Sequence, residues 1–220
     1  VLAVAGYHEV LLHKADGTGI EGRLVGLAER IESLAFSPDG KLLAYAYDDN
    51  GSERFDLHFR DLTTGAELKD VIPGTLSSIV WSSDSKGVVY GLANENWRTD
   101  NAWYHRLGDE LTKAKLLYKE QDIGFGVGVG LTAQEDWIVI ATGDNVTSEV
   151  RLVPASDPTA TPIIVSPRKV GRQYNVDVRD GTTSCATSSC DRSAPAGPAS
   201  SVRPVARDRA EVGRLRRRHP

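Results

Sequence analysis

Short runs in which apolar and polar residues alternate fill most of this chain, and turn residues break them at regular intervals. Alternation with a period of two is the pattern of half-buried strands. Leu34–Tyr45 (LAFSPDGKLLAY) is a complete hairpin signal, one apolar run entering Ser37-Pro-Asp-Gly40 and another leaving it. Pro38 presets φ, Asp39 can accept a bond from its own downstream backbone, and Gly40 tolerates the positive φ of a last turn position. The layout returns 45 residues on at Ile79–Tyr90 (IVWSSDSKGVVY), with Trp81 for Phe36, Asp84 for Asp39, Lys86 for Lys41 and Tyr90 for Tyr45. A fainter copy, 50 residues further at Val129–Ile140 (VGLTAQEDWIVI), keeps strand, polar corner and strand but loses the Pro and the Gly. A repeat of this length holding four short strands is the signature of β-propeller blades.

The pattern therefore predicts an all-β fold: an incomplete propeller of about three and a half four-stranded antiparallel blades, followed by a disordered C-terminal tail. Residues 1–30 read as the end of one blade, with strands at 1–6, 9–15 and 23–26. Blades follow at 31–74, 75–120 and 121–170, and 171–181 starts a further one. The predicted strands are Ile31–Phe36, Leu42–Tyr47, Phe55–Arg60 and Glu67–Ile72; Ser78–Trp81, Gly87–Leu92, Ala102–Arg106 and Ala114–Tyr118; Gly126–Leu131, Trp137–Thr142, Glu149–Val153 and Pro162–Val165; then Gln173–Val178. Helix competes only at Leu111–Glu120 (LTKAKLLYKE), rich in good helix formers; the repeat favours an outer strand.

Composition changes the picture at one end. From Thr182 onward Thr, Ser, Ala, Pro and Arg dominate and no Phe, Trp or Tyr remains. Such a segment buries too little apolar surface to offset the entropy of ordering it. Residues 182–220 hold eight Arg, no Lys and three acidic residues, so the net charge of −4 divides into +5 for the tail and −9 for the body. Arg and Ala without Lys suit a GC-rich frame read out of phase, and the tail is expected to be out of frame. The acidic body offers no basic stripe for nucleic acid. No apolar run reaches the ~20 residues that span a bilayer, and neither a signal peptide nor a membrane partner is expected. Because the chain opens at Val1 in a strand pattern and contains no Met, it reads as a fragment lacking its natural start. Cys185 and Cys190 are too few for a zinc site or a disulfide framework.

Residues 36–181 resemble the N-terminal propeller of the prolyl oligopeptidase family of serine peptidases, the oligopeptidase B branch most closely. The resemblance rests on Ser37–Tyr45 (SPDGKLLAY), Asp61-Leu-Thr-Thr-Gly65, Val80-Trp81 with Asp84 and Lys86, Trp103–Gly108 (WYHRLG) and Phe125–Gly130 (FGVGVG), taken in order and spacing. Residues 1–35, notably Gly6–His13 and Leu24–Glu32, resemble a bacterial WD-repeat blade, and the two likenesses meet inside FSPDGKLLA as in a chimera. The peptidase resemblance implies a cytoplasmic serine-type endopeptidase as parent. Its propeller would face a separate α/β-hydrolase domain and admit short peptides while excluding folded proteins. The alternative is a WD-repeat-like interaction scaffold with no catalytic role.

Candidate chemistry is sparse. No Gly-x-Ser-x-Gly elbow occurs, so no catalytic residue is assigned and the chain alone is expected to be inactive. His8 and His13 read as strand residues on opposite faces, His58 and His105 as occupants of one strand position in successive blades, and His219 lies in the tail; no metal set converges. Asp48–Glu53 (DDNGSE) reads as a solvated hairpin loop rather than a calcium loop. Gly124–Gly130 (GFGVGVG) leads into a strand with no helix to cradle a phosphate, so no cofactor is expected, and crowding of an inner strand is the predicted reason for its glycines. Asn94–Asn101 (NENWRTDN) carries Trp97 and Arg98, types enriched at interface hot spots. These two are the candidates for interdomain or peptide contact, weighed against Trp97 packing on its own blade.

Overall fold

Each alternating run becomes a strand, and apolar residues from successive sheets interleave. The computed structural model describes residues 1–5, 9–25, 30–48, 50–76, 79–179, 182–186 and 203–204. Strands β1 (Leu2–Ala5), β2 (Glu9–His13) and β3 (Ile20–Val25) form a three-stranded sheet. Three four-stranded antiparallel blades follow: β4 (Arg30–Phe36), β5 (Leu42–Asp48), β6 (Phe55–Asp61) and β7 (Glu67–Thr75); β8 (Val80–Trp81), β9 (Gly87–Tyr90), β10 (Asn101–Arg106) and β11 (Lys115–Lys119); β12 (Gly126–Leu131), β13 (Trp137–Gly143), β14 (Ser148–Pro154) and β15 (Ile163–Ile164). The competing helix shrinks to a single 3₁₀ turn at Leu111–Lys113 ahead of β11. The molecule is an incomplete propeller, as the periodicity predicts.

The apolar core is divided accordingly. One slab, with Val10, Leu24, Leu43 and Tyr45, lies between the first sheet and the first full blade. A second, with Phe59, Trp81, Val88 and Tyr90, joins the first and second blades, and a third, with Val89, Tyr104, Val127 and Ile140, joins the second and third. A fourth packs Val150, Leu152 and Val165 against Tyr174 and Val178. Each blade is thus buried by its neighbours rather than by a shared centre, the energetics of a repeat architecture.

The corner between the first two strands of each blade is built the same way three times. Ser37 Oγ donates to Asp39 Oδ1 at 2.7 Å and accepts from Leu42 N. Ser82 Oγ donates to Asp84 Oδ1 at 2.6 Å and accepts from Gly87 N, and Thr132 Oγ1 donates to Asp136 Oδ1 at 2.7 Å and accepts from Trp137 N. The left-handed residue persists even where glycine does not: Gly40 (φ 70°), Ser85 (φ 60°) and Glu135 (φ 58°) occupy it in turn. Corners also tie blades together, since Asp39 N donates to Ser85 Oγ and Trp81 Nε1 to Ala35 O at 3.0 Å.

Strand direction gives the molecule two ends. These corners lie at one, which we call the corner end. At the other, the link end, lie the loops between second and third strands and the segments joining one blade to the next. The turn at Lys14–Gly19 repeats the bonding of Asp61–Ala66 (Lys14 N to Gly19 O, Asp61 N to Ala66 O), so β2 and β3 correspond to third and fourth strands and β1 to a second.

A further small sheet follows the third blade: β16 (Asn175–Arg179) pairs antiparallel with β17 (Thr182–Ala186), which pairs in parallel with β18 (Arg203–Pro204). Backbone pairing needs no apolar side chain, so the composition break at Thr182 does not mark it. The rest of the tail lies outside the described residues. One expectation needs correction: the glycines of β12 are not crowded, since a Cβ at Gly126, Gly128 or Gly130 would meet nothing within 4 Å. Crowding occurs at Gly87 instead, where a Cβ would lie 2.6 Å from His105 O and from the Tyr104 ring.

Candidate functional site

The link end gathers the loops from which a site can be built. Its most prominent member runs from Asn94 to Asp100, where one asparagine organises the backbone. Asn94 Oδ1 accepts from Asn96 N at 2.9 Å and Arg98 N at 3.1 Å, and its Nδ2 donates to Asp100 Oδ2 at 2.9 Å. This turn holds Trp97 at φ 57°, a left-handed conformation costly for an aromatic residue. The indole is half-exposed, and the Arg54 guanidinium, from the preceding blade, lies 4.8 Å from its ring centre. Arg98 reaches the other way and donates to Ile123 O at 2.8 Å in the link to the next blade. The two residues singled out in the sequence are therefore adjacent, and they brace the loop against both neighbours.

A cavity lies on either side of this loop. One, of about 590 Å³, is lined by Asn94, Arg98, Asp100, Lys119, Asp122 and Phe125; the other, of about 430 Å³, by Asn50, Ser52, Arg54, Asp56, Gly74 and Leu92. Around them the link end exposes large apolar tips: Trp97 is 49% exposed, Ile123 86%, Val146 56% and Val170 89%. The corner end is not free of such groups: Leu111 lies in one of its turns, and Ile20 and Ile163 open the strands that leave two others.

Beneath the first cavity sits a charge network that the sequence did not announce. Glu120 is buried and accepts from Tyr118 Oη at 2.7 Å, Thr142 Oγ1 at 2.9 Å, Gln121 N at 2.9 Å, Asp122 N at 3.0 Å and the Arg168 guanidinium. Burial alone would raise its pKa; the Arg168 bond, aided by Asp122 N and the two hydroxyls, outweighs this and holds it at about 2. Arg168 also stacks 4.0 Å from the Phe125 ring centre, and its backbone N–H donates to Glu149, which pairs with Arg151 at 2.6 Å. Arg151 in turn lies 3.8 Å over the Tyr118 ring. Glu120 and Arg168 lie 48 residues apart in two different links, so no local motif joins them.

The remaining candidates disperse. His8 and His219 lie outside the described residues, and His13 sits in β2, half-buried. His58 and His105 do not share a position: Tyr45 pairs with His58 but its counterpart Tyr90 pairs with Trp103, whereas His105 pairs with Val88, two residues away. His58 stacks on Tyr47 with ring centres 4.6 Å apart, and buried His105 bonds Asp70 Oδ1 through Nε2 at 2.9 Å across the blade interface. The Asp48 carboxylate is engaged by the backbone N–H groups of Asn50 and Glu53, which lower its pKa against the effect of burial. Among the described residues no three His, Cys, Asp or Glu side chains converge as metal ligands.

The likeness to known proteins follows the fold. The family model described as "Prolyl oligopeptidase, N-terminal beta-propeller domain" matches residues 28–197. This range begins upstream of the FSPDGKLLA stretch and runs past β17. Dipeptidyl aminopeptidase BI of Pseudoxanthomonas mexicana is 32% identical over 142 residues, 64% of this chain and 20% of that protein. Protease 2 of Moraxella lacunata is 26% identical over 141 residues, covering 63% and 20%. The structure of oligopeptidase B from Leishmania major superposes with a TM-score of 0.65 at 25% identity, over 69% of this chain and 22% of that one. This chain thus spans about a fifth of the curated relatives it matches.

Proposed function

This chain belongs to the prolyl oligopeptidase N-terminal β-propeller family, and from that premise we propose that it gates a serine peptidase of the oligopeptidase B type. In this reading an α/β-hydrolase domain elsewhere in the parent protein carries the chemistry. The propeller turns its link end toward that domain and admits short peptides while holding back folded chains. Trp97 and Arg98 make the interdomain or peptide contact. The observation that carries the reading is the gathering of exposed Trp97, Ile123, Val146 and Val170 at the one end where the two cavities open. Exposed apolar groups rimmed by polar ones mark a surface that meets a partner.

No residue of this chain acts as nucleophile, acid or base in the proposal. Its contribution is exclusion and positioning. Cleavage of a substrate peptide would require the Ser, acid and His of the missing domain. The test is to read the gene past codon 182 in all frames and express the extended product. An in-frame Gly-x-Ser-x-Gly elbow with serine-inhibitor-sensitive peptide cleavage is the expected result. Further blades with no elbow would overturn the reading in favour of an interaction scaffold.

A further inference from the structure

Asn50-Gly51, in the loop from β5 to β6 at the link end, is the one place in the chain where glycine follows asparagine. Both residues are exposed, and a Cβ at Gly51 would meet nothing within 4 Å. The side-chain amide of an asparagine can be attacked by the backbone nitrogen that follows it, and a side chain on that next residue shields the nitrogen. Glycine has none. The Asn50 amide is also poised, since Ser52 N donates to its Oδ1 at 2.9 Å while its Nδ2 has no partner among the described residues. The Ser52 N–H thus meets the oxygen on which negative charge develops when Cγ is attacked, and a fixed donor there favours the step.

The other asparagines are protected by sequence, by structure or by both. Asn94, Asn96, Asn101, Asn145 and Asn175 precede Glu95, Trp97, Ala102, Val146 and Val176. Two of them also have the departing nitrogen tied down: Asn94 Nδ2 donates to Asp100 Oδ2 at 2.9 Å, and Asn101 Nδ2 donates to Asp100 Oδ1 at 2.7 Å and to Leu92 O at 3.1 Å. Asn101 is buried as well.

We propose that Asn50 is a site of spontaneous modification in the folded chain, through a succinimide formed with Gly51. Gly51 N bonds to Asn50 Cγ, the Cγ–Nδ2 bond breaks, and the proton lost from Gly51 N leaves with the amide nitrogen as ammonia. Water then opens the five-membered ring at Cγ, giving aspartate, or at the backbone carbonyl carbon, giving isoaspartate with the chain rerouted through the side chain. Water is the only co-reactant. Either product sets a carboxylate in the wall of the cavity of about 430 Å³ that Arg54 also lines, and Arg54 is the residue whose guanidinium lies over Trp97. The modification thus changes the charge of the link end whichever partner that end meets, so the inference does not rest on the peptidase reading.

Peptide mapping by mass spectrometry tests it on the 220-residue chain incubated at neutral pH and 37 °C, because the tryptic fragment Leu42–Arg54 contains Asn50 and no other asparagine. Asn50 is expected to lose ammonia at least tenfold faster than any other asparagine, with isoaspartate among the products by enzymatic methyl labelling. Gly51→Ala should slow the loss at least fivefold. The folded chain should react at least as fast as the free peptide Leu42–Arg54, because the fold holds the Ser52 bond in place. Loss at Asn50 no faster than at the other asparagines overturns the proposal. So does a Gly51→Ala chain that reacts like wild type, or a folded chain that reacts more slowly than the peptide.

Discussion

Replacing Glu120 by Gln removes the charge on which two blade links converge while keeping the side chain's shape. In the wild type, Oε2 accepts from Tyr118, Thr142 and Arg168, and Oε1 from the N–H groups of Gln121 and Asp122. A glutamine amide must point its NH₂ at one of these donor sets and leaves Arg168 without its carboxylate. The carboxylate's pKa falls from an ordinary 4.5 to about 2 in the fold. At about 1.4 kcal/mol per unit, with an allowance for the quarter-exposed Arg168, that is roughly 2–3 kcal/mol of stability. A depressed carboxylate pKa stabilises the fold fully above the unfolded value, and the contribution is lost as pH falls from there through the folded value. Urea denaturation should therefore place Glu120→Gln about 2–3 kcal/mol below wild type at pH 7, with the gap closing between about pH 5 and pH 2. A gap under about 0.5 kcal/mol at pH 7, or one that does not shrink on acidification, would refute the assignment of Glu120–Arg168 as the link-end clamp.

Three further outcomes follow from single positions. Glu135 sits in the left-handed region at an exposed corner, so Glu135→Gly should raise stability by about 0.5–1 kcal/mol, and an unchanged or lower urea midpoint would contradict the turn geometry. At Gly87 an added methyl would collide with His105 O and the Tyr104 ring, and Gly87→Ala should cost about 2–3 kcal/mol, whereas Gly128→Ala, with nothing nearby, should be nearly neutral in the same titration. Because backbone N–H groups already occupy the Asp48 carboxylate, millimolar calcium should leave the thermal midpoint unmoved; a rise of several degrees would show a site at that loop.

The strands were legible because alternation records which face each residue buries, and Gly126–Leu131 agrees with the pattern residue for residue. Corners were legible where their chemistry was local. Ser37 and Asp39 lie two residues apart, and the later copies could be found from this one even after Pro and Gly were lost. What escaped lies between blades. His105 finds Asp70 across an interface, and a two-residue offset from His58 is invisible until strands pair. Glycine misled at one place: the run in β12 looked crowded and is open, while the tight position is Gly87, which the sequence did not single out. The sequence singled out Trp97 and Arg98 by residue type alone. Their bracing by Arg54 and Ile123 depends on neighbouring blades and could not be read from the loop.

The gating role is tested most directly in the extended gene product by the ratio of kcat/KM for a short peptide to kcat/KM for an unfolded chain of some forty residues. If Trp97 and Arg98 form the contact that restricts entry, Trp97→Ala combined with Arg98→Ala should lower that ratio about tenfold, chiefly through faster cleavage of the long chain. A ratio unchanged by the double substitution, in a protein of unaltered stability, would contradict the account.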